Sequence, residues 1–315
     1  MRIRATVAAV TGALALSAFA VPAAQADGSG DSVPSRADVA KVLDAAHAAS
    51  GKSGARAAAA ADGVPYALDA SVSNVKVNAG KAIVAGTTKQ VTVPTTFTLT
   101  HGADVDITAA DFFVDVELYK GSYDEPEMSL IGELWPTCTV VSTTKASCKG
   151  TIDVYPGEGQ LLNSDAGTWS ANAYAIAFNG EDPNADDIDL SKVGYMEQAK
   201  VGSTKLQRYS KLTVNASPEP VKKNKTITVT GSLTRANWET NKYAGYTAQS
   251  VKLQFKKKGT STYTDVKTVK SGTGSSAGKL KTTVTATVDG TFRYAFAGTS
   301  TTPAVNSAGD AIDVQ

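Results

Sequence analysis

The chain has 315 residues, of which 42% are hydrophobic and 19% charged, with 31 Lys and Arg against 30 Asp and Glu. Those proportions exclude a disordered acidic chain, a membrane bundle and a uniformly basic nucleic-acid binder. Two His and two Cys are too few for a metal centre built from several of either.

Residues 1–26 read as a secretory signal peptide. Met1-Arg2-Ile3-Arg4 is a positive n-region, Ala5 to Val21 an apolar h-region, and Ala24-Gln25-Ala26 an A-x-A end. The apolar run is short for a span and carries Thr11, Gly12 and Ser17. The expectation is a secreted chain, extracellular or cell-wall associated, with no transmembrane segment after cleavage. Residues 27–68 form a low-complexity leader. Ser35-Arg36-Ala37-Asp38 resembles a capped helix start, Val39, Val42, Leu43 and Ala46 make a thin apolar stripe, and Gly51 would end it. A short helix inside a mostly flexible tether is expected.

From about Ser71 the apolar period changes to two. Phe112, Val114, Val116 and Leu118 alternate with Phe113, Asp115, Glu117 and Tyr119, and Trp169 to Phe178 is a further strand candidate. Asn78-Ala79-Gly80, His101-Gly102, Tyr155-Pro156-Gly157 and Asn179-Gly180 punctuate the runs. Short strands so spaced, with no long helical pattern between them, predict an antiparallel sandwich over 69–204. Within it, Ser142-Thr143-Thr144-Lys145 reads as a hairpin turn that sets Cys138 opposite Cys148, a disulfide in an oxidising compartment. No C-x-x-C spacing supports a redox dithiol.

Residues 205–315 repeat the pattern. Val251, Leu253 and Phe255 alternate with Lys252, Gln254 and Lys256, and Asp289-Gly290 turns into Phe292, Tyr294 and Phe296. About seven strands in this length match an immunoglobulin-like domain. The predicted fold is therefore all-β: two tandem immunoglobulin-like antiparallel β-sandwiches after a signal peptide and a partly helical leader. Thr226-Ile227-Thr228-Val229-Thr230-Gly231-Ser232-Leu233, Val251-Lys252-Leu253-Gln254-Phe255 and Asp289-Gly290-Thr291-Phe292-Arg293-Tyr294-Ala295-Phe296 carry a resemblance. The last third of the chain resembles the C-terminal immunoglobulin-like domain of exported actinobacterial, streptomycete-type proteins. The resemblance implies a non-catalytic sandwich and transfers no site residue.

The near-neutral total hides a division. Residues 69–204 hold 8 Lys and no Arg against 19 acids, net −11, whereas 205–315 hold 17 Lys and Arg against 6 acids, net +11. In the basic block Lys252 and Lys256 share the outer face of one strand beside Lys257 and Lys258, while Lys222, Lys223 and Lys225 lie on a turn. Such a surface suits anionic cell-wall polymers or another protein. It equally suits protection of a sheet edge. No motif supports sequence-specific nucleic-acid binding.

Asp182, Asn184 and Asp186 have the D-x-N-x-D spacing of a calcium loop, and Asp189 could add an oxygen. Asp187 and Val193 stand where an EF-hand has Gly and its bidentate Glu, so only an irregular calcium site remains in view, beside a plain acidic loop. Asp104, Asp106 and Asp111 form a looser second cluster. Neither a G-x-S-x-G elbow nor an H-E-x-x-H site occurs, and of the histidines His47 lies in the leader and His101 at a turn. Asp115 and Glu117 read as outward and solvated. Trp135, Trp238, Tyr243 and Tyr246 could stack on sugars, although Trp238 sits in what reads as a loop covering one end of a sandwich, and Trp169 reads as core. The first reading is a secreted, non-enzymatic interaction module of the envelope with no cofactor. A calcium-binding exported protein is second, and a small hydrolase third.

Overall fold

The computed structural model describes residues 63–315 apart from 124, 125, 184 and 186, together with the helical residues 39, 41–43, 45 and 46. The expected signal peptide lies outside the described residues.

In chain order the first unit contains β1 (Tyr66–Ala67), β2 (Ala70–Val77), β3 (Ile83–Ala85), β4 (Val91–His101), β5 (Phe112–Gly121), β6 (Pro126–Leu130), β7 (Thr137–Ser142), β8 (Lys145–Val154), β9 (Gly167–Ala177) and β10 (Gly194–Arg208). One sheet runs β2-β4-β8-β7 and the other β1-β10-β9-β5-β6, with β3 joining β10 in parallel. Strands β2 and β3 thus split the first edge between the two sheets, and the remaining strands follow immunoglobulin wiring. Alternation explains the layers. Val93, Thr95, Phe97 and Leu99 of β4 are buried, while Thr92, Pro94 and Thr96 are exposed. Pairing of β4 with β2 stops at Thr95, so the missing N–H of Pro94 costs no bond to that neighbour.

The second unit contains β11 (Ser210–Leu212), β12 (Asn215–Ser217), β13 (Thr226–Asn237), β14 (Lys242–Gly245), β15 (Ser250–Lys257), β16 (Thr264–Lys270), β17 (Lys279–Thr285), β18 (Gly290–Phe296), β19 (Val305–Asn306) and β20 (Asp310–Ile312). Strand β13 is flanked by β11, β12, β14 and β17. The facing sheet runs β16-β15-β18, with β19 and β20 sharing the far side of β18. Gly231 marks where β13 changes partner from β12 to β11: a Cβ there would lie 2.2 Å from the Thr213 carbonyl oxygen and 3.0 Å from the Tyr294 ring. The molecule is an all-β pair of immunoglobulin-like sandwiches.

The two units are joined by more than the chain. Strand β10 continues through residue 205 to Arg208, and its last residues pair with Ile83–Ala85. The β13–β14 hairpin then reaches back. Trp238 at its tip is fully buried, packs with the first unit's core, and donates its Nε1–H to the Gly86 carbonyl at 2.8 Å. Asn163 accepts from the Trp238 N–H at 3.1 Å and donates to Asn237 Oδ1 at 3.0 Å. Arg208 donates from Nε to the Ala236 carbonyl at 2.6 Å. Burial, and then Arg235, draws the Arg208 guanidinium down to about 10. The segment expected as a covering loop is therefore a hairpin that plugs the neighbouring sandwich. Its aromatic ring stabilises by being removed from water, and its N–H finds a partner.

The short helix expected in the leader is present at its described residues and docks on the first unit. Val39 and Val42 are each 1% exposed and cluster with Phe113, Tyr174, Ile176, Phe178 and Val193. These are outward positions of β5 and β9 and of the loop before β10. The helical stretch covers that sheet face because its two valines, three apart, share one side of a helix.

Cys138 and Cys148 face each other across β7 and β8 and form the expected disulfide, with Cα atoms 4.0 Å apart. The bridge lies within one sheet rather than between sheets. Replacing both residues with Ser is expected to cost about 2–3 kcal/mol, because the closed loop is short. Urea unfolding checks it: equal midpoints for the double variant and the oxidised parent would refute a stabilising role.

Candidate functional site

The loops that follow β4 and β9 meet at the end of the first unit remote from the Trp238 joint. Between them and the segment before β2 lies a cleft of about 410 Å³, lined by Tyr66, Asp69, Asp104, Asp106, Asp111 and Asn179, among others. Asp69 and Asp104 converge: a Cβ on Gly102 would sit 2.8 Å from Asp69 Oδ2 and 2.5 Å from Asp104 Oδ1. Asp111 Oδ2 accepts the Gly180 N–H at 2.7 Å, tying the two acidic loops together across 69 residues of sequence. Asp106 takes the hydroxyl and the N–H of Thr108, which holds its carboxyl below the usual range.

Of the four residues predicted to ligate calcium, Asn184 and Asp186 lie outside the described residues. Asp182 is exposed. Asp189 Oδ1 accepts from the Ser191 hydroxyl at 2.6 Å and its N–H at 3.1 Å, which depresses its pKa, and Oδ2 lies 3.5 Å from Lys192. Glu181 closes the same loop by a 2.8 Å contact with Lys192 and by accepting the Asp189 N–H. Lys192 thus places positive charge beside Glu181 and Asp189. Among the described residues no three His, Cys, Asp or Glu side chains group as a metal centre.

The basic strand face is organised rather than loose. Lys252 and Gln254 both donate to Asp265, at 2.6 and 2.7 Å, and Arg293 donates to Gln254 Oε1 at 2.8 Å. The Arg293 guanidinium lies 3.9 Å from the Tyr263 ring centroid, with Lys256 5.2 Å from it. Lys258 pairs with Asp289 at 3.0 Å, whereas Lys257 points into solvent, as do Lys222, Lys223 and Lys225.

The aromatic candidates are occupied. Trp135 packs on Phe113 and Tyr174. Tyr243 carries Lys211 at 3.7 Å and Tyr246 carries Arg235 at 3.8 Å. Trp169 is 1% exposed and is core, as read. His101 is the last residue of β4, 8% exposed, with Nδ1 2.9 Å from the Gly102 carbonyl.

Asp115 and Glu117 are not the solvated pair expected from alternation. Asp115 is 2% exposed, and Glu117 accepts from Asn172 Nδ2 at 2.9 Å. Their sheet face is covered, which a period of two cannot reveal. Large residues at outward positions (Phe113, Tyr119, Tyr174, Ile176) were the available signal.

No family model matches the chain, and no curated protein matches it either. Among solved structures, one described as a marsupial T cell receptor aligns over 76% of this chain and 97% of its own, at 10% identity and a TM-score of 0.20, too loose a match to bear on function.

Proposed function

We propose that the protein is an exported, non-enzymatic interaction module of the cell envelope, holding anionic polymers through its second sandwich. The observation that carries this reading is the concentration of unpaired positive charge there. Lys222, Lys223, Lys225 and Lys257 are exposed on the turn before β13 and the end of β15, in a unit of net +11. The disulfide suits an oxidising compartment.

The test is co-sedimentation with purified anionic wall polymer. Retention should fall steeply between 20 and 500 mM salt, since exposed charges are screened over about 8–10 Å at physiological strength. Reversal of the four exposed lysines to Glu should cost about tenfold or more in affinity. Lys252→Gln, which also breaks a pair with Asp265, should cost much less. Retention indifferent to both salt and charge reversal would sink the proposal.

A further inference from the structure

The joint between the units holds two guanidiniums and no carboxylate paired with either among the described residues. Arg208, the last residue of β10, is 6% exposed. Among the described residues its side chain makes a single hydrogen bond, from Nε to the Ala236 carbonyl. Both terminal nitrogens are thus left to donate, and neither is sealed from solvent. Arg235 of β13 is half-buried. Its guanidinium lies 3.8 Å from the Tyr246 ring centroid, and Nη1 donates to the buried Thr302 hydroxyl at 3.3 Å. After burial, the charge of Arg235 is the main influence drawing the Arg208 pKa down, so the two side chains are electrostatic neighbours. The carboxylate whose charge reaches Arg208 is that of Glu239, which is exposed and accepts the Asn163 N–H on Oε1 at 3.2 Å. The loop after β18 holds the pair in place: the Thr301 carbonyl accepts the Arg208 N–H at 3.0 Å, and the Thr299 hydroxyl lies 3.4 Å from that of Tyr246.

Two like charges drawn out of water side by side are unfavourable until an anion offsets them. Stacking on Tyr246 uses the face of the Arg235 guanidinium and leaves in-plane N–H groups to donate, while Arg208 offers the fork of its two terminal nitrogens. The pair carries two positive charges. A carboxylate or a phosphodiester brings one negative charge, whereas a phosphomonoester or inorganic phosphate brings about 1.5 to 2 near neutral pH, with three strong acceptor oxygens. We propose that Arg208 and Arg235 form a binding site for a phosphate dianion, either the free ion or a phosphomonoester end group. A phosphate held by both would tie β10 to β13 across the joint. The site is separate from the exposed lysines of the second sandwich and does not rest on the polymer reading.

The test titrates inorganic phosphate, and glycerol 1-phosphate as the ester, into the full chain at constant ionic strength, with acetate as the monoanion control. Calorimetry reads binding, and so does tryptophan fluorescence, because the Trp238 ring lies 6.0 Å from the Arg208 guanidinium. Saturable binding of phosphate but not acetate is expected. Arg235→Gln, which leaves the Arg208–Ala236 bond in place, should weaken it about tenfold or more. The variant's melting temperature without phosphate should match the parent's, and phosphate should raise the parent's alone. Binding of both probes assigns the site to a phosphomonoester end group, and binding of phosphate alone assigns it to the free ion; either result supports the site. No saturation by either probe up to about 10 mM, equal affinity in Arg235→Gln, or equal binding of acetate overturns the proposal. Reversal of Lys222, Lys223, Lys225 and Lys257 to Glu should change phosphate affinity by no more than about threefold, so this site and the polymer surface fail or stand separately.

Discussion

Trp238→Ala is expected to lower the unfolding free energy by about 3–5 kcal/mol, the usual cost of truncating a buried aromatic side chain. The residue belongs to the second unit by sequence and to the first by packing. Truncation empties a pocket in the first core, leaves the Gly86 carbonyl without its 2.8 Å donor, and removes a ring 6.0 Å from the buried Arg208 guanidinium. The effect should not be confined to stability. With the plug in place, neither sandwich can open without exposing the other, so calorimetry of the parent should show one cooperative transition. The variant should show two. Trp238→Phe refills most of the volume but not the hydrogen bond, and should lose about 1 kcal/mol or somewhat more. A single transition within 1 kcal/mol of the parent for Trp238→Ala would mean that the hairpin merely rests on its neighbour.

What could be read from sequence was what depends on neighbours along the chain. The alternation of Val251, Leu253 and Phe255 with Lys252, Gln254 and Lys256 places a strand and its two faces, and the Ser142–Lys145 turn places Cys138 opposite Cys148. What alternation does not contain is whether a face is covered. In β9 the inward positions are Ala171, Ala173 and Ala175, while Tyr174 and Ile176 on the other side are equally buried. A strand buried on both faces reads as ordinary amphipathic sequence when one set of residues is small. The convergence of Asp69, Asp104 and Asp111 with the loop after β9 is likewise a product of the immunoglobulin crossover, which no spacing rule encodes. Trp238 was legible as unusual, being aromatic between Asn237 and Glu239, but its destination lay 152 residues away at Gly86.

Those covered faces lead to the second large effect. Val39→Asp with Val42→Asp should release the leader helix from the sheet. Each valine is 1% exposed, and full burial of such a side chain is worth about 1.5–3 kcal/mol, so the pair accounts for much of the docking. A carboxylate at either position would be buried against Phe113, Ile176 and Phe178, so undocking is the cheaper response. A short isolated helix does not persist in water, and the released segment should then become a protease substrate. Limited proteolysis should therefore cut the leader at least about tenfold faster than in the parent, while the body of the two sandwiches survives. Dye binding should rise in parallel, because Phe113, Tyr174 and Ile176 would form a contiguous exposed patch. Unchanged cleavage with unchanged dye binding would show that the helix adds nothing to the fold. The outward aromatic and aliphatic residues of β5 and β9 would then need another explanation.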